Sequence, residues 1–222
     1  MDLAVTTLVV SPFEQNCRIV MDRESGEAVI VDPGDDAKRI LDAVRRSGAK
    51  VKMILATHGH LDHVGAVAPL KDALKVPFAI HSADAPLLEW LPQHGEAFGM
   101  RGLRTPTIDV DLAITREIPL GNGVIQVVST PGHTPGGSTF LFGERGEKGL
   151  FGDSLFHGSI GRTDLGGDPD VYARTIRDVI LAMPDATEVH SGHGPSSTMA
   201  IERRTNPFLN GEIVVGCPDL PT

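Results

Sequence analysis

The spacing of apolar positions divides the chain into short strands and amphipathic helices. Leu3–Val10 alternates loosely and is rich in β-branched residues, which reads as a strand. Short apolar runs follow at residues 16–21 and 28–31, with a polar turn at 22–27, so the chain starts as hairpins. Asp35 then stands as an N-cap. Ala37, Ile40, Leu41 and Val44 share one helical face, and Gly48 sits where a terminating glycine belongs. Residues 51–56 read as a buried strand, 57–63 as a loop, 64–74 as a helix, Phe78–Ile80 as a strand and 82–91 as a third helix.

Residues 92–107 show no period and hold Gly95, Gly99, Gly102 and Pro106, so they read as a long loop of the kind that covers a site. Strands resume at Gly123–Ser129, Ser138–Phe142 and 149–151. Asp168-Pro169 opens a fourth helix, with proline at its first position and Val171, Ile176, Val179, Ile180 and Met183 inward. A last short strand spans 188–190, and a short helix or loop begins at Ile201. Strands on both sides of helical stretches imply sheets covered by helices on their outer faces. No linker, repeat or low-complexity segment interrupts residues 1–222, which are expected to form one domain.

Composition narrows the function. A charge of −9 over 222 residues disfavours binding to phosphate backbones. No apolar run nears the ~20 residues of a membrane span, and Met1–Ala4 does not open as a secretory leader. A chain of the cytosol (cytoplasmic) is expected, with its two cysteines, Cys17 and Cys217, as separate inert thiols.

The chemistry lies in four segments, each placed where a strand gives way to a loop. They are Thr57-His58-Gly59-His60-Leu61-Asp62-His63, Thr130-Pro131-Gly132-His133-Thr134, Phe151-Gly152-Asp153-Ser154 and Ser191-Gly192-His193-Gly194-Pro195. In extended chain, residues two apart point the same way, so His58 and His60 converge on one ion. A turn at Leu61 aims Asp62 and His63 at a second point. Imidazoles and carboxylates suit zinc, iron or manganese. A lone histidine is more often a core or surface residue than a ligand. Three within six residues point to a metal, because packed together and protonated they would repel one another.

His58-Gly59-His60-Leu61-Asp62-His63, followed in order by His133, Asp153 and His193, resembles the signature of the metallo-β-lactamase fold superfamily. The resemblance implies an α/β fold, a four-layer αβ/βα sandwich of two mixed sheets with helices outside. It implies two divalent metal ions, zinc first, with iron or manganese as alternatives. By that resemblance His58, His60 and His133 hold one ion, Asp62, His63 and His193 hold the other, and Asp153 bridges them, so that Asp62 and Asp153 serve catalysis. The stretch 152–165, with Gly192-His193-Gly194-Pro195 and 202–209, is similar to short bacterial glyoxalase II-type hydrolases. The resemblance implies a small-molecule thioester as substrate, with the glutathione-linked S-lactoylglutathione as the reference. The larger glyoxalases II carry a further helical region that helps hold glutathione, and little of this chain remains after Asn210.

Two ions about 3.5–4 Å apart hold a shared water and lower its pKa towards ~7. A thiol leaves as thiolate without a strong general acid, and no Lys or Tyr is placed to protonate an amine. Both points favour a thioester over a peptide bond. The competing readings are a mononuclear iron persulfide dioxygenase using His58, His133 and Asp153, a lactonase or β-lactamase of the same fold, and a binding module without turnover.

Around the site, Arg162 reads as a substrate-carboxylate contact or a surface ion pair, and Tyr172 as core or groove lining with substrate contact as the alternative. Asp32 resembles a family position that supports the metal loop. Asp164 and Asp168 read as turn and cap residues, His81 as a cap, His157 and His190 as structural, and Trp90 as packing. His94, Arg101 and Arg104 either cover substrate or are solvated.

Overall fold

The computed structural model describes residues 2–143 and 146–215. Cys217 lies outside them, and Cys17 is a buried free thiol.

Strict alternation along the strands sorts side chains into three cores and so creates four layers. One sheet runs in the order β1 (Leu3–Val10), β2 (Gln15–Asp22), β3 (Glu27–Val31), β4 (Lys50–Leu55), β5 (Phe78–Ile80), β6 (Val110–Asp111). Its first three strands are antiparallel, and β3 to β6 are parallel. Ala28 and Ile30, Ile54, Phe78 and Ile80 face outward against Ile40, Val44, Val67 and Leu70 of the covering helices. Their neighbours Val29, Val31, Leu55 and Ala79 face inward against the second sheet.

That second sheet runs β12 (Ser197–Thr198), β11 (Glu188–Ser191), β10 (Lys148–Gly152), β9 (Ser138–Phe142), β8 (Gly123–Ser129), β7 (Glu117–Leu120). Phe140, Phe142 and Leu150 fill the space between the sheets. Leu141, Phe151 and Val189 point the other way, onto Tyr172, Ile176 and Met199. The expected helix–sheet–sheet–helix sandwich is the architecture observed.

The helices are α1 (Ala37–Ser47), α2 (Leu61–Val64), α3 (Val67–Leu74), α4 (Ala85–Glu89), α5 (Leu91–Ala97), α6 (Pro169–Asp178) and α7 (Met199–Thr205). Among the described residues no helix is long and apolar enough to cross a membrane.

Several local expectations need correction. The helix expected at 64–74 is two, and the first begins inside the expected loop, at Leu61. The break falls at Gly65–Ala66 because the chain there lies against the exit from β3. A Cβ on Gly65 would stand 2.3 Å from the Gly34 carbonyl oxygen, and Ala66 donates to the Pro33 carbonyl at 2.9 Å. The expected long loop opens with α5, which aperiodic spacing conceals because only Leu91 and Gly95 of that helix are buried. Asp35 does not cap α1. Asp36 takes the N-cap position in the left-handed region, and the Asp35 carboxylate accepts the Asp36 N–H instead. Tyr172 rather than Val171 faces the core, and Trp90 is exposed rather than packed. β7 adds a strand not expected from the sequence, although Ile118 and Leu120 alternate with exposed neighbours. Gly48 ends α1, and the Asp168 carboxylate caps α6 by accepting from Asp170 and Val171, both as expected.

β8 and β10 both pair antiparallel to β9, and β11 pairs parallel to β10, so all three end on the same side of their sheet. The loops that follow β3, β4 and β5 leave the first sheet together in the same way. Ligand sites in open sheets form at such carboxyl ends. The two sets of loops meet: Asn16 N donates to Gly192 O at 2.7 Å, and Ser138 N to Thr57 O at 2.8 Å.

Candidate metal centre

Each of the four histidine- and aspartate-bearing segments ends a strand, and together they deliver seven side chains to one place. Candidate ligand atoms group as His58, His60 and His133, as Asp62, His63 and His193, and as His58, His63 and Asp153, within 4.8 Å in each group. Asp153 faces both halves: Oδ1 lies 3.3 Å from His63 Nε2, and Oδ2 lies 3.6 Å from His133 Nε2. Asp62 Oδ2 lies 3.1 Å from His193 Nε2. The His58 and His63 rings are 4.0 Å apart between centroids.

Four of these rings have an outer nitrogen bonded to a fixed oxygen, which places an N–H on that side. His133 Nδ1–H donates to the Arg162 carbonyl at 2.6 Å, and His193 Nδ1–H to the Phe13 carbonyl at 3.0 Å. His60 is reversed, with Nε2–H donating to the Leu165 carbonyl at 3.2 Å and Nδ1 left for the cluster. The Thr57 hydroxyl donates to Asp32 at 2.7 Å, so at 3.1 Å it accepts from His58 Nδ1–H. Asp32 also takes the Thr57 N–H at 2.6 Å and stands 3.1 Å from His63 Nδ1. The expected support from Asp32 is thus present, holding His58 through Thr57 and standing beside His63.

The inner atoms are left over. His58 Nε2, His63 Nε2, His133 Nε2 and Asp153 Oδ1 are buried with no hydrogen-bond partner. An orphaned buried polar atom costs about 1–3 kcal/mol, and four facing one another are a donor set for a cation. Nitrogen and carboxylate oxygen donors in this number fit a pair of borderline divalent ions such as zinc, iron or manganese.

Glycines let the loops close on one another. A Cβ on Gly34 would stand 1.5 Å from the Asp62 carbonyl oxygen, and one on Gly152 would stand 2.2 Å from Thr57 Oγ1.

Charge divides the two halves. Burial, reinforced by the charge of His63, pushes His58 well below the ordinary imidazole value. Burial likewise lowers His60, and it pushes His133 down to about 4. Burial alone would lower His63 too, but Asp153, Asp62 and Asp32 outweigh it and hold it well above the ordinary value. His193 is raised against its burial by Asp62 and Asp153. Asp62 is held far below the usual carboxylate range by His63 and His193, which outweigh its own burial.

Sequence reasoning missed Asp84. It is fully buried, and it accepts from Gly59 N at 2.8 Å, Thr134 Oγ1 at 2.8 Å and Gly136 N at 2.6 Å. One carboxylate therefore ties the His58–His60 loop to the loop carrying His133. Burial raises its pKa despite these bonds. Its position after β5, matching Asp32 after β3, was the available signal, but within an expected helix it looked like an ordinary first-turn acid.

Two expected substrate contacts stand differently. Tyr172 is fully buried, and burial pushes its phenol well above its ordinary value. Its hydroxyl is spent on the carbonyls of Asp153 and Ser154 at 3.1 and 2.9 Å and accepts from Gly161 N at 3.1 Å. It positions the Asp153 backbone and has no face left for substrate. Arg162 does line the cavity beside the cluster, but its guanidinium pairs with Asp164. His157 and His190 bond to Glu202 and to Ser196 and Glu188, away from the cluster. His81 accepts from Ala83 N as a cap, Arg104 pairs with Asp72, Arg101 lies 3.9 Å from Glu96, and His94 lines the cavity.

Residues 12–193 match the family described as the metallo-beta-lactamase superfamily, and the chain belongs to it. It is 36% identical over 216 residues to "Hydroxyacylglutathione hydrolase GloC" of Haemophilus influenzae, covering 94% of this chain and 99% of that one. Among solved structures it is similar to the BLEG-1 B3 metallo-beta-lactamase, with a TM-score of 0.84 and 34% identity over 94% of this chain and 100% of that one. It is also similar to TTHA1623 in a di-iron-bound form, with a TM-score of 0.81 and 38% identity over 92% and 100% of the two chains.

Two outcomes follow. Asp84→Ala removes the acceptor for three buried donors. It is expected to lower stability by about 1–3 kcal/mol and to weaken metal binding about 10–100-fold, read by thermal melting and chelator competition; unchanged metal affinity would reduce Asp84 to a fold residue. Zinc titrated at pH 7 in buffers of different ionisation heat is expected to release few protons at the His58, His60 and His133 group, whose pKa values are lowered. It is expected to release more at the group containing His63 and His193, whose pKa values are raised. Protons compete where the pKa is raised, so affinity for the second equivalent falls first as pH drops. Equal proton release from both equivalents would contradict the division.

Proposed function

We propose that the protein is a dinuclear metallohydrolase that cleaves thioesters, with a lactoyl thioester of glutathione as the reference substrate. One observation carries the reading: unpartnered inner donors of two ligand groups face each other across Asp153 at the floor of an open cavity. His58, His60 and His133 would hold one cation and Asp62, His63 and His193 the other, with Asp153 between them. Zinc is the first choice by donor type, with iron and manganese as alternatives. Such a pair supplies Lewis acidity towards a carbonyl oxygen and brings the pKa of water towards ~7.

The chain's own residues do the rest. Hydrogen bonds from outside the cluster keep the imidazoles oriented, so no reorganisation accompanies reaction. Asp62 and Asp153 stay ionised because, against the burial that would raise them, neighbouring histidines hold their pKa values low, which lets them hold cations at the cluster. The remaining charge of such a site, about +1 when two carboxylates and one hydroxide offset two divalent ions, attracts anionic groups within a chain of net charge −9. Tyr172 is enclosed, and among the described residues the cavity lining holds no lysine or tyrosine to protonate a leaving amine, which supports a thiol leaving group. The name carried by the Haemophilus influenzae relative supports the same reaction class. On this reading the partner is a small molecule rather than a nucleic acid or membrane.

Metal analysis with a thiol-release assay on the same sample tests this. The expected result is close to two ions per chain, release of thiol from S-lactoylglutathione, and loss of turnover to background in Asp153→Ala. One iron per chain, with oxygen consumed on a glutathione persulfide and no thiol released from the thioester, would replace the proposal with dioxygenase chemistry.

A further inference from the structure

The cavity over the cluster encloses about 740 Å³, within the range of small-molecule sites. Its walls are unlike its floor. Phe13, Leu87, Phe98, Phe156, Ile160 and Leu165 line it. Phe13, Phe98 and Leu165 are 39%, 59% and 51% exposed, so large apolar side chains stand in solvent around one opening. Single exposed apolar residues are ordinary, but a contiguous set around a cavity marks a binding surface.

The set is built from separate elements. Phe13 comes from the turn between β1 and β2, and Phe98 from the end of α5. The two rings meet edge to face, with centroids 5.9 Å apart. Phe13 serves twice, because its carbonyl holds His193 while its ring faces the cavity. Phe156 stands 6.2 Å from the His193 ring. On the opposite side, Leu165 holds His60 through its carbonyl, and Leu87 packs on Gly59, where a Cβ would meet it at 3.0 Å. Both flanks of the ligand cluster are therefore apolar.

Charge recognition is weak along the same walls. Among the described residues Arg162 is the one lysine or arginine on the lining, and Asp164 occupies its guanidinium. A substrate can thus be held at its carbonyl by the floor and along its arms by hydrocarbon contact.

Resting on the thioester reading above, we infer that the acyl arm of the substrate is a hydrocarbon, an aliphatic chain or an aryl group, seated against Phe13, Phe98 and Phe156 or against Leu87 and Leu165. Whichever way the carbonyl lies across the cluster, that arm meets an apolar wall. A short hydroxylated acyl group such as lactoyl reaches the same floor and so is still cleaved, but it leaves these walls in water and is the slower substrate.

The test varies the acyl arm on one neutral thiol. Acetyl, butanoyl and hexanoyl thioesters of N-acetylcysteamine are assayed with the zinc-loaded protein. Binding of acetate and hexanoate is measured by calorimetry on the same protein with and without zinc. The expected result is a rise in kcat/KM of roughly fourfold per methylene, with hexanoate bound more tightly than acetate and with a negative heat-capacity change. Phe98→Ala or Leu165→Ala, changes at exposed positions on the two walls, is expected to flatten the series, according to which wall seats the arm. Turnover that is flat from acetyl to hexanoyl overturns the inference and leaves thioester hydrolysis standing. Absence of thiol release from every thioester, with hexanoate still preferred over acetate, overturns the hydrolase reading and keeps the apolar arm. Hexanoate bound no more tightly than acetate, or bound equally well by both Phe98→Ala and Leu165→Ala, overturns the inference whatever the turnover.

Discussion

Imidazole rings bonded on their outer sides and bare on their inner sides are the constraint around which this molecule is arranged. His58, His60, His133 and His193 each give an outer N–H to a fixed oxygen: Thr57 Oγ1 or the carbonyls of Leu165, Arg162 and Phe13. Three of those oxygens belong to backbone, so ring orientation is set by where loops run. Inward, His193 Nε2 meets Asp62 at 3.1 Å, whereas His58 Nε2, His63 Nε2, His133 Nε2 and Asp153 Oδ1 have lost water without gaining a hydrogen-bond partner, a condition that folding resists unless something else binds there. The two sandwiched sheets make it tolerable, because the core between them keeps the strand ends, and hence the loops, in register.

Two buried carboxylates stabilise the loops against this strain. Asp32, after β3, holds Thr57 and through it His58, and it stands beside His63. Asp84, after β5, holds the backbone on both sides of the gap between the sheets, at Gly59 and Gly136. The ligand loop after β4 lies between them. Tyr172 contributes from the far side, where its hydroxyl meets the backbone at Asp153, Ser154 and Gly161. The apolar mouth is joined to the same framework, since the carbonyls of Phe13 and Leu165 hold two histidines of the cluster while their side chains line the cavity.

Helix-covered sheets were legible in the order of strands and amphipathic helices, while the four-layer sandwich was implied by the resemblance; the run 28–31 is apolar throughout, and the fold sorts it, with Ala28 and Ile30 facing the helices and Val29 and Val31 the second sheet. The four ligand segments were legible because ligand types and glycines cluster within a few residues. What stayed hidden depends on distant parts of the chain. Nothing near Gly65 announces that the Gly34 carbonyl will interrupt the helix there. α5 buries two residues and so has no period to read. Asp84 acts through loops 25 and 52 residues away along the chain, and Tyr172 faces the core because Gly132 and Gly161 leave it room and a partner. The sequence draws attention to the Arg162 guanidinium, whereas its carbonyl is what touches His133.

Uptake of a pair of neighbouring cations by the inner donors is the central claim, and anomalous diffraction from crystals grown with zinc measures it directly. Two peaks are expected about 3.5–4 Å apart, one among His58, His60 and His133, the other among Asp62, His63 and His193, with the Asp153 carboxylate between them. A single peak, or metal bound elsewhere while these seven side chains stay unligated, would contradict it.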